Sequence, residues 1–192
     1  RRRVALVGIV TGALGAGAGC LATRGPVVPT GALAPDFDLE SHLGGRVSLD
    51  ALVADGPAVL VFIGGLVNFC RDQLGELADS IRDFEKEGIR LVAISVDDIE
   101  DSVTLAGKLG IRYPLLKDEG LKTATAYGVA MQGDDIAVPS VFVVSTAKRI
   151  VFSDVGESVV DRVGPARMVE EARKAKGSRS GDRKSKRLNS SH

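Results

Sequence analysis

Short apolar runs alternate with amphipathic stretches along this chain. Ala58 to Phe62 (AVLVF) is continuously apolar and Leu91 to Val96 (LVAISV) nearly so, as expected of strands covered on both faces. Between them, CRDQLGELADSIRDFEKEG places Leu74, Leu77, Ala78, Ile81 and Phe84 at helical spacing and stops at Gly88, which predicts an amphipathic helix. Gln73 and Glu76 fall to its polar side or to a cleft edge. A second helix is predicted over DDIEDSVTLAGKLG, whose acids complement the dipole at its start, and a third over 121–127. Phe37 to Leu39 and Val47 to Leu49 flank the turn SHLGGR as a hairpin, and Ser140 to Val144 and Ile150 to Val155 flank STAKR as an antiparallel pair. A last helix starts near Pro165, a favoured first-turn residue, and ends near Lys176. A βαβ crossover followed by a hairpin and a terminal helix predicts an α/β domain, a mixed central β-sheet flanked by helices.

The ends differ in kind. Residues 1–24 open with three arginines and continue for twenty residues without a charge, the build of an export leader or membrane anchor. Gly17-Ala18-Gly19-Cys20 resembles a lipoprotein box, which makes Cys20 a lipidation candidate and places the domain outside the cytoplasm, periplasmic or membrane-anchored in a bacterium. The paired arginines also resemble a twin-arginine signal. Residues 25–35 read as a Pro/Gly-rich linker and 36–176 as the domain. Residues 177–192 read as a disordered tail, of which 182–192 resemble a translated sequencing adapter and carry no functional argument.

The net charge of zero conceals an asymmetry. Residues 25–176 hold sixteen Lys/Arg against twenty-four Asp/Glu, a net −8, which argues against nucleic acid as a partner because that binding needs clustered cations. Two cysteines fifty residues apart form no disulfide framework or zinc pattern. With His42 in a turn and His192 at the end, the chain offers no histidine-based triad and no metal site, and nothing in it calls for a cofactor. His42 reads as a surface residue. Cys70 stands out instead, where an apolar strand meets a helix.

The phrases GALAPDFDL (31–39), GGRVSL (44–49), PAVLVFIGG…FCRDQLGEL, LVAISVD (91–97), PLLKDEG (114–120), VPSVFVV (138–144) and DVGES (154–158) resemble, in order, the alkyl hydroperoxide reductase and thiol-specific antioxidant (AhpC/TSA) family. This peroxiredoxin-like branch implies a thioredoxin-like fold and a redox position at Cys70. Its helix N-terminus and the neighbouring Arg71 would lower the thiol pKa. The chain departs from the family's pattern: a CxxC site has its first cysteine where Val67 stands and a proline where Asn68 stands. A peroxiredoxin has a threonine at Val67, a proline at Ile63 and an arginine near Pro139. Pro139 resembles the cis-proline of thioredoxins, with the backbone of Val138 offered to a substrate. Val138, Pro139, Val67 and Asn68 are the expected substrate-binding residues.

The expectation is a thiol oxidoreductase with one working cysteine, Cys70 assisted by Arg71, acting on a peroxide or a protein thiol or disulfide. An external thiol reductant, a thioredoxin-like protein or a small thiol, would complete the cycle. The alternative is a redox-inactive binding module on the same fold, with Cys70 a buried, inert thiol.

Overall fold

The computed structural model describes residues 25–64, 68–131, 133, 135–156 and 163–188, of which 68–70 and 177–188 as backbone alone. The strands are β1 (Asp38–Ser41), β2 (Arg46–Ser48), β3 (Ala58–Phe62), β4 (Arg90–Ser95), β5 (Leu115–Lys117), β6 (Ser140–Val144) and β7 (Ile150–Val155). The helices are α1 (Leu49–Val53), α2 (Asn68–Lys86), α3 (Ile99–Leu109), α4 (Lys122–Tyr127) and α5 (Pro165–Leu188), with a 3-10 turn at Glu119–Leu121. The strands form one mixed sheet in the order β2-β1-β5-β4-β3-β6-β7. Only β3/β4 and β4/β5 are parallel.

β3 lies in the middle of this sheet and all five of its residues are buried. Alternation splits it between two cores. Val59 and Val61 join Leu74, Leu77, Ile81 and Phe84 of α2, Leu105 and Ala106 of α3, and Met168 and Ala172 of α5. Ala58, Leu60 and Phe62 join α1, α4 and the N-terminal segment on the other face. There Phe62, Tyr127 and Phe142 pack ring against ring, with centroids 5.0–5.7 Å apart.

Elements that the periodicity predicts appear within a residue or two of their expected bounds, and four features differ. β5 and α1 carry too few residues to display a period; β5 is defined by pairing, Ala93 with Leu115 and Ser41 with Leu116. The stretch 25–35, expected as a linker, is bound to the domain: Gly31 N–H donates to Ile150 O (2.7 Å), Ala34 N–H to Lys148 O (2.8 Å) and Tyr127 Oη to Pro35 O (3.1 Å). Lys148 adds ion pairs to Asp36 and Asp50. The terminal helix passes its expected end near Lys176 and runs through part of the expected disordered tail to Leu188. No proline follows Pro165, and the arginines and lysines of that stretch are good helix formers that offset Gly177 and Gly181. His42, expected on the surface, is half-buried, and its Nδ1 accepts the Leu115 N–H at 3.0 Å. The leader, with Cys20, lies outside the described residues, and no helix among the described residues is long and apolar enough to cross a membrane.

Two predictions follow from these contacts. At Gly128, φ is +74° and an added Cβ would meet Pro26 O at 2.1 Å, so Gly128→Ala should cost about 1–3 kcal/mol of stability through backbone strain, read as a lower urea midpoint. For His42, burial holds the imidazole pKa below the ordinary 6.5, so the folded state takes up a proton less readily than the unfolded chain. Its contribution is therefore complete above about pH 6.5 and declines as the pH falls below that value. His42→Asn, whose Oδ1 keeps an acceptor for Leu115, should flatten the stability profile between about pH 5 and 7; an unchanged slope refutes the assignment.

Candidate active site

The register aligns Leu116, Ile94, Phe62, Ser140 and Val155 in one row across five strands. This row marks the carboxyl ends of the parallel strands, where open α/β sheets bind ligands. β3 leaves it through Ile63, whose N–H donates to Ile94 O at 3.0 Å, and Gly64. An added Cβ on Gly64 would stand 3.0 Å from Ala137 O, so glycine lets the chain pass close beside the approach to β6. Residues 65–67, including Val67, lie outside the described residues, and α2 begins at Asn68.

Cys70 therefore occupies the first turn of a 19-residue helix at the carboxyl end of the central strand. That turn contains no acid, so the partial positive charge of its free N–H groups is not offset there. Arg71 is exposed at the next position. An anion, a thiolate included, is favoured at such a place. The second turn is held from the side by Tyr113, whose buried hydroxyl donates to Leu74 O at 3.0 Å. Burial pushes that hydroxyl well above its usual range, which keeps it protonated and a donor.

The loop opposite differs from the expectation. The Val138–Pro139 peptide bond is trans, as are all described peptide bonds. The local hydrogen bonds account for its placement: Val138 N–H donates to Val129 O (2.7 Å), Ser140 Oγ to Val138 O (2.8 Å) and Gly156 N–H to Pro139 O (3.0 Å). Trans is also the favoured isomer of an X-Pro bond. The backbone of Val138, expected to meet a substrate, thus has its N–H committed within the protein.

Gln73 is a second correction. Expected toward solvent or the cleft edge, it is 5% exposed, and its Oε1 has no hydrogen-bond partner among the described residues. The signal was available: Gln73 precedes Leu77 by four residues and follows Cys70 by three, on the line of the buried stripe. Asp97, just past β4, has a buried Oδ2 that also lacks a partner among the described residues. Two charged surface grooves, one between α2 and α5 and one beside β1, include neither Gln73 nor Asp97.

The AhpC/TSA family model matches residues 30–153. A 1-Cys peroxiredoxin of Dictyostelium discoideum is 30% identical over 129 residues, covering 62% of this chain and 53% of that protein. The chain spans about half the length of several curated relatives that it matches. Among solved structures, the peroxidoxin BcpB of Mycobacterium tuberculosis aligns with a TM-score of 0.68 at 25% identity, over 76% of this chain and 96% of that one. The yeast mitochondrial 1-Cys peroxiredoxin, resolved through glutathione/thioredoxin systems, aligns with a TM-score of 0.67 at 18% identity, over 74% of each chain; at that identity the likeness speaks to the fold.

Removing the Tyr113 hydroxyl tests how the helix start is held. Tyr113→Phe should cost about 1 kcal/mol and speed amide exchange in the first two turns of α2 while leaving α3 and α4 unchanged, as read by hydrogen-exchange mass spectrometry.

Proposed function

Since the chain belongs to the AhpC/TSA family, we propose that it is a thiol peroxidase that works through Cys70 alone. The observation that carries this reading is the position of Cys70 in an acid-free first turn of α2 at the carboxyl end of β3. The helix end favours the thiolate, which is the nucleophile. The sulfur attacks one oxygen of a hydroperoxide. An S–O bond forms, the O–O bond breaks, Cys70 is oxidised to a sulfenic acid, and the departing oxygen takes a proton to leave as water or an alcohol.

Reduction comes from outside the domain. The chain has one cysteine besides Cys70, and it belongs to the leader. A first external thiol displaces water from the sulfenic acid to give a mixed disulfide, and a second releases the Cys70 thiol. A thioredoxin-like protein or a small thiol fits this role, in line with the systems named for the yeast relative. Arg71 adds positive charge beside the thiolate. The commitment of Val138 N–H to Val129 favours a small peroxide over an extended protein disulfide, which would need that edge free. The leader sequence supports an exported protein, with Cys20 as its lipid attachment point.

The reading is tested on the chain from Gly25 onward together with its Cys70→Ser variant. Alkylation of Cys70 should titrate below the ordinary thiol value of about 8.5. Low peroxide should yield a dimedone-trapped sulfenic acid at Cys70, and the serine variant should lose all thiol-dependent peroxide consumption. Undiminished turnover by the variant, or a thiol that reacts only after unfolding, overturns the proposal in favour of a redox-inactive binding module.

A further inference from the structure

Residues 25–35 form a strap along one face of the domain, and its two ends lie at opposite ends of the sheet. At one end, Gly31 N–H donates to Ile150 O and Ala34 N–H to Lys148 O. Ile150 pairs with Val144, and Val144 with Ala58, the first residue of β3. At the other end, Val28 N–H donates to Tyr127 O at 3.2 Å, and Pro26 lies so close to Gly128 that no Cβ fits between them. Val129, the next residue, accepts the N–H of Val138. Two residues on, Ser140 pairs with Phe62, the last residue of β3. Followed toward the N-terminus, the strap thus reaches Gly25 at the carboxyl end of β3, the end past which α2 begins. Val27 and Val28 pack against the core beneath it, so its position there is fixed.

Cys20 precedes Gly25 by five residues, a reach of about 17 Å when fully extended. A domain of this size is roughly 30–40 Å across. The uncharged run of the leader ends at Thr23, so a leader held in the membrane gives a tether no longer than a lipidated Cys20 does. Either tether is too short for the domain to turn its far end to the bilayer. The surface beside Gly25 suits that proximity. Residues 25–35 carry no charge and 122–131 only that of Lys122, in a domain of net −8, and acids are what an anionic bilayer repels. We propose that the face formed by residues 25–28 with the end of α4 and Gly128 is the membrane-facing surface of the anchored protein, its partner being the lipid bilayer. This inference rests on the reading of residues 1–24 as an anchor and not on the thiol peroxidase reading. The end of the sheet where α2 begins is then turned toward the membrane, and the β6–β7 turn at Ala147 away from it.

Energy transfer in the full chain reads this orientation. Each protein carries Cys70→Ser and one added cysteine, either Ala126→Cys beside the strap or Ala147→Cys in the β6–β7 turn; both alanines are exposed. The added thiol is labelled with a fluorescent donor, and the protein is purified from membranes and placed in phosphatidylethanolamine/phosphatidylglycerol vesicles that hold a rhodamine-lipid acceptor. The chain without an added cysteine supplies the background. Transfer should be stronger from position 126 than from position 147. Equal transfer from the two, or stronger transfer from 147, overturns the inference while leaving the anchor reading in place. Recovery of the protein only in the soluble fraction of expressing cells overturns the anchor reading and the inference together. The thiol peroxidase reading is untouched by any of these results, because the donor signal does not depend on Cys70.

Discussion

The two-sided burial of β3 is the constraint on which the rest depends. It pairs in parallel with β4 and antiparallel with β6 over all five of its residues, and neither face meets water. A strand apolar on both faces is poorly protected against a slip of one residue, since no polar side chain would be driven inward. Size protects it instead. Val59 and Val61 face the α2 side, whereas Leu60 and Phe62 face the α4 side. Phe62 closes a ring cluster with Tyr127 and Phe142, and such aromatic pairs contribute about 0.5–1.5 kcal/mol each beyond burial. A slipped strand would bring the phenylalanine to the α2 face and a valine into the aromatic cluster, leaving overpacking on one side and a void on the other.

The same register places the start of α2. Because Phe62 is aligned with Ile94 and Ser140, the exit of β3 emerges beside the end of β4 and the start of β6. α2 then starts at Asn68, past the carboxyl end of β3. The anchoring is tertiary: Tyr113, from the α3–β5 connection, holds the second turn, and the Leu74–Phe84 stripe holds the rest. The hydrogen bonds of Val138 and Pro139 fix the opposite wall. A helix dipole acts within about a turn of its end, so its reach covers the turn that holds Cys70 and little beyond.

Much of this was legible in the sequence. AVLVF, LVAIS and SVFVV are apolar on both faces because the strands are buried on both, and the α2 stripe announces its buried side. β5 escaped because three residues between Pro114 and Asp118 display no period, and its identity comes from partners far along the chain. The docking of residues 25–35 escaped for a related reason: a Pro/Gly-rich segment has no pattern of its own, and its hydrogen bonds are made with Tyr127, Lys148 and Ile150. Pro139 was read by resemblance to thioredoxins, yet its bond is trans, and Ser140 and Gly156 donate to the carbonyls of Val138 and Pro139. Gln73 was read by polarity, although its spacing from Leu77 had already placed it on the buried line.

Thiol chemistry toward peroxides, the reading proposed above, has two requirements. One is a thiolate at neutral pH, which an electrostatic device such as a helix end and a nearby guanidinium can supply to any nucleophilic cysteine. The other is orientation of the peroxide, which needs a hydrogen-bond acceptor in a place from which water is excluded. Valine at position 67 can supply no such group. A charged acceptor in so buried a place would be desolvated at large cost and would repel the thiolate. A neutral amide avoids both penalties and still offers a full-strength acceptor. At position 73 the neutral side chain carries no desolvation penalty of that size, which is the physical difference between glutamine and glutamate on this buried line.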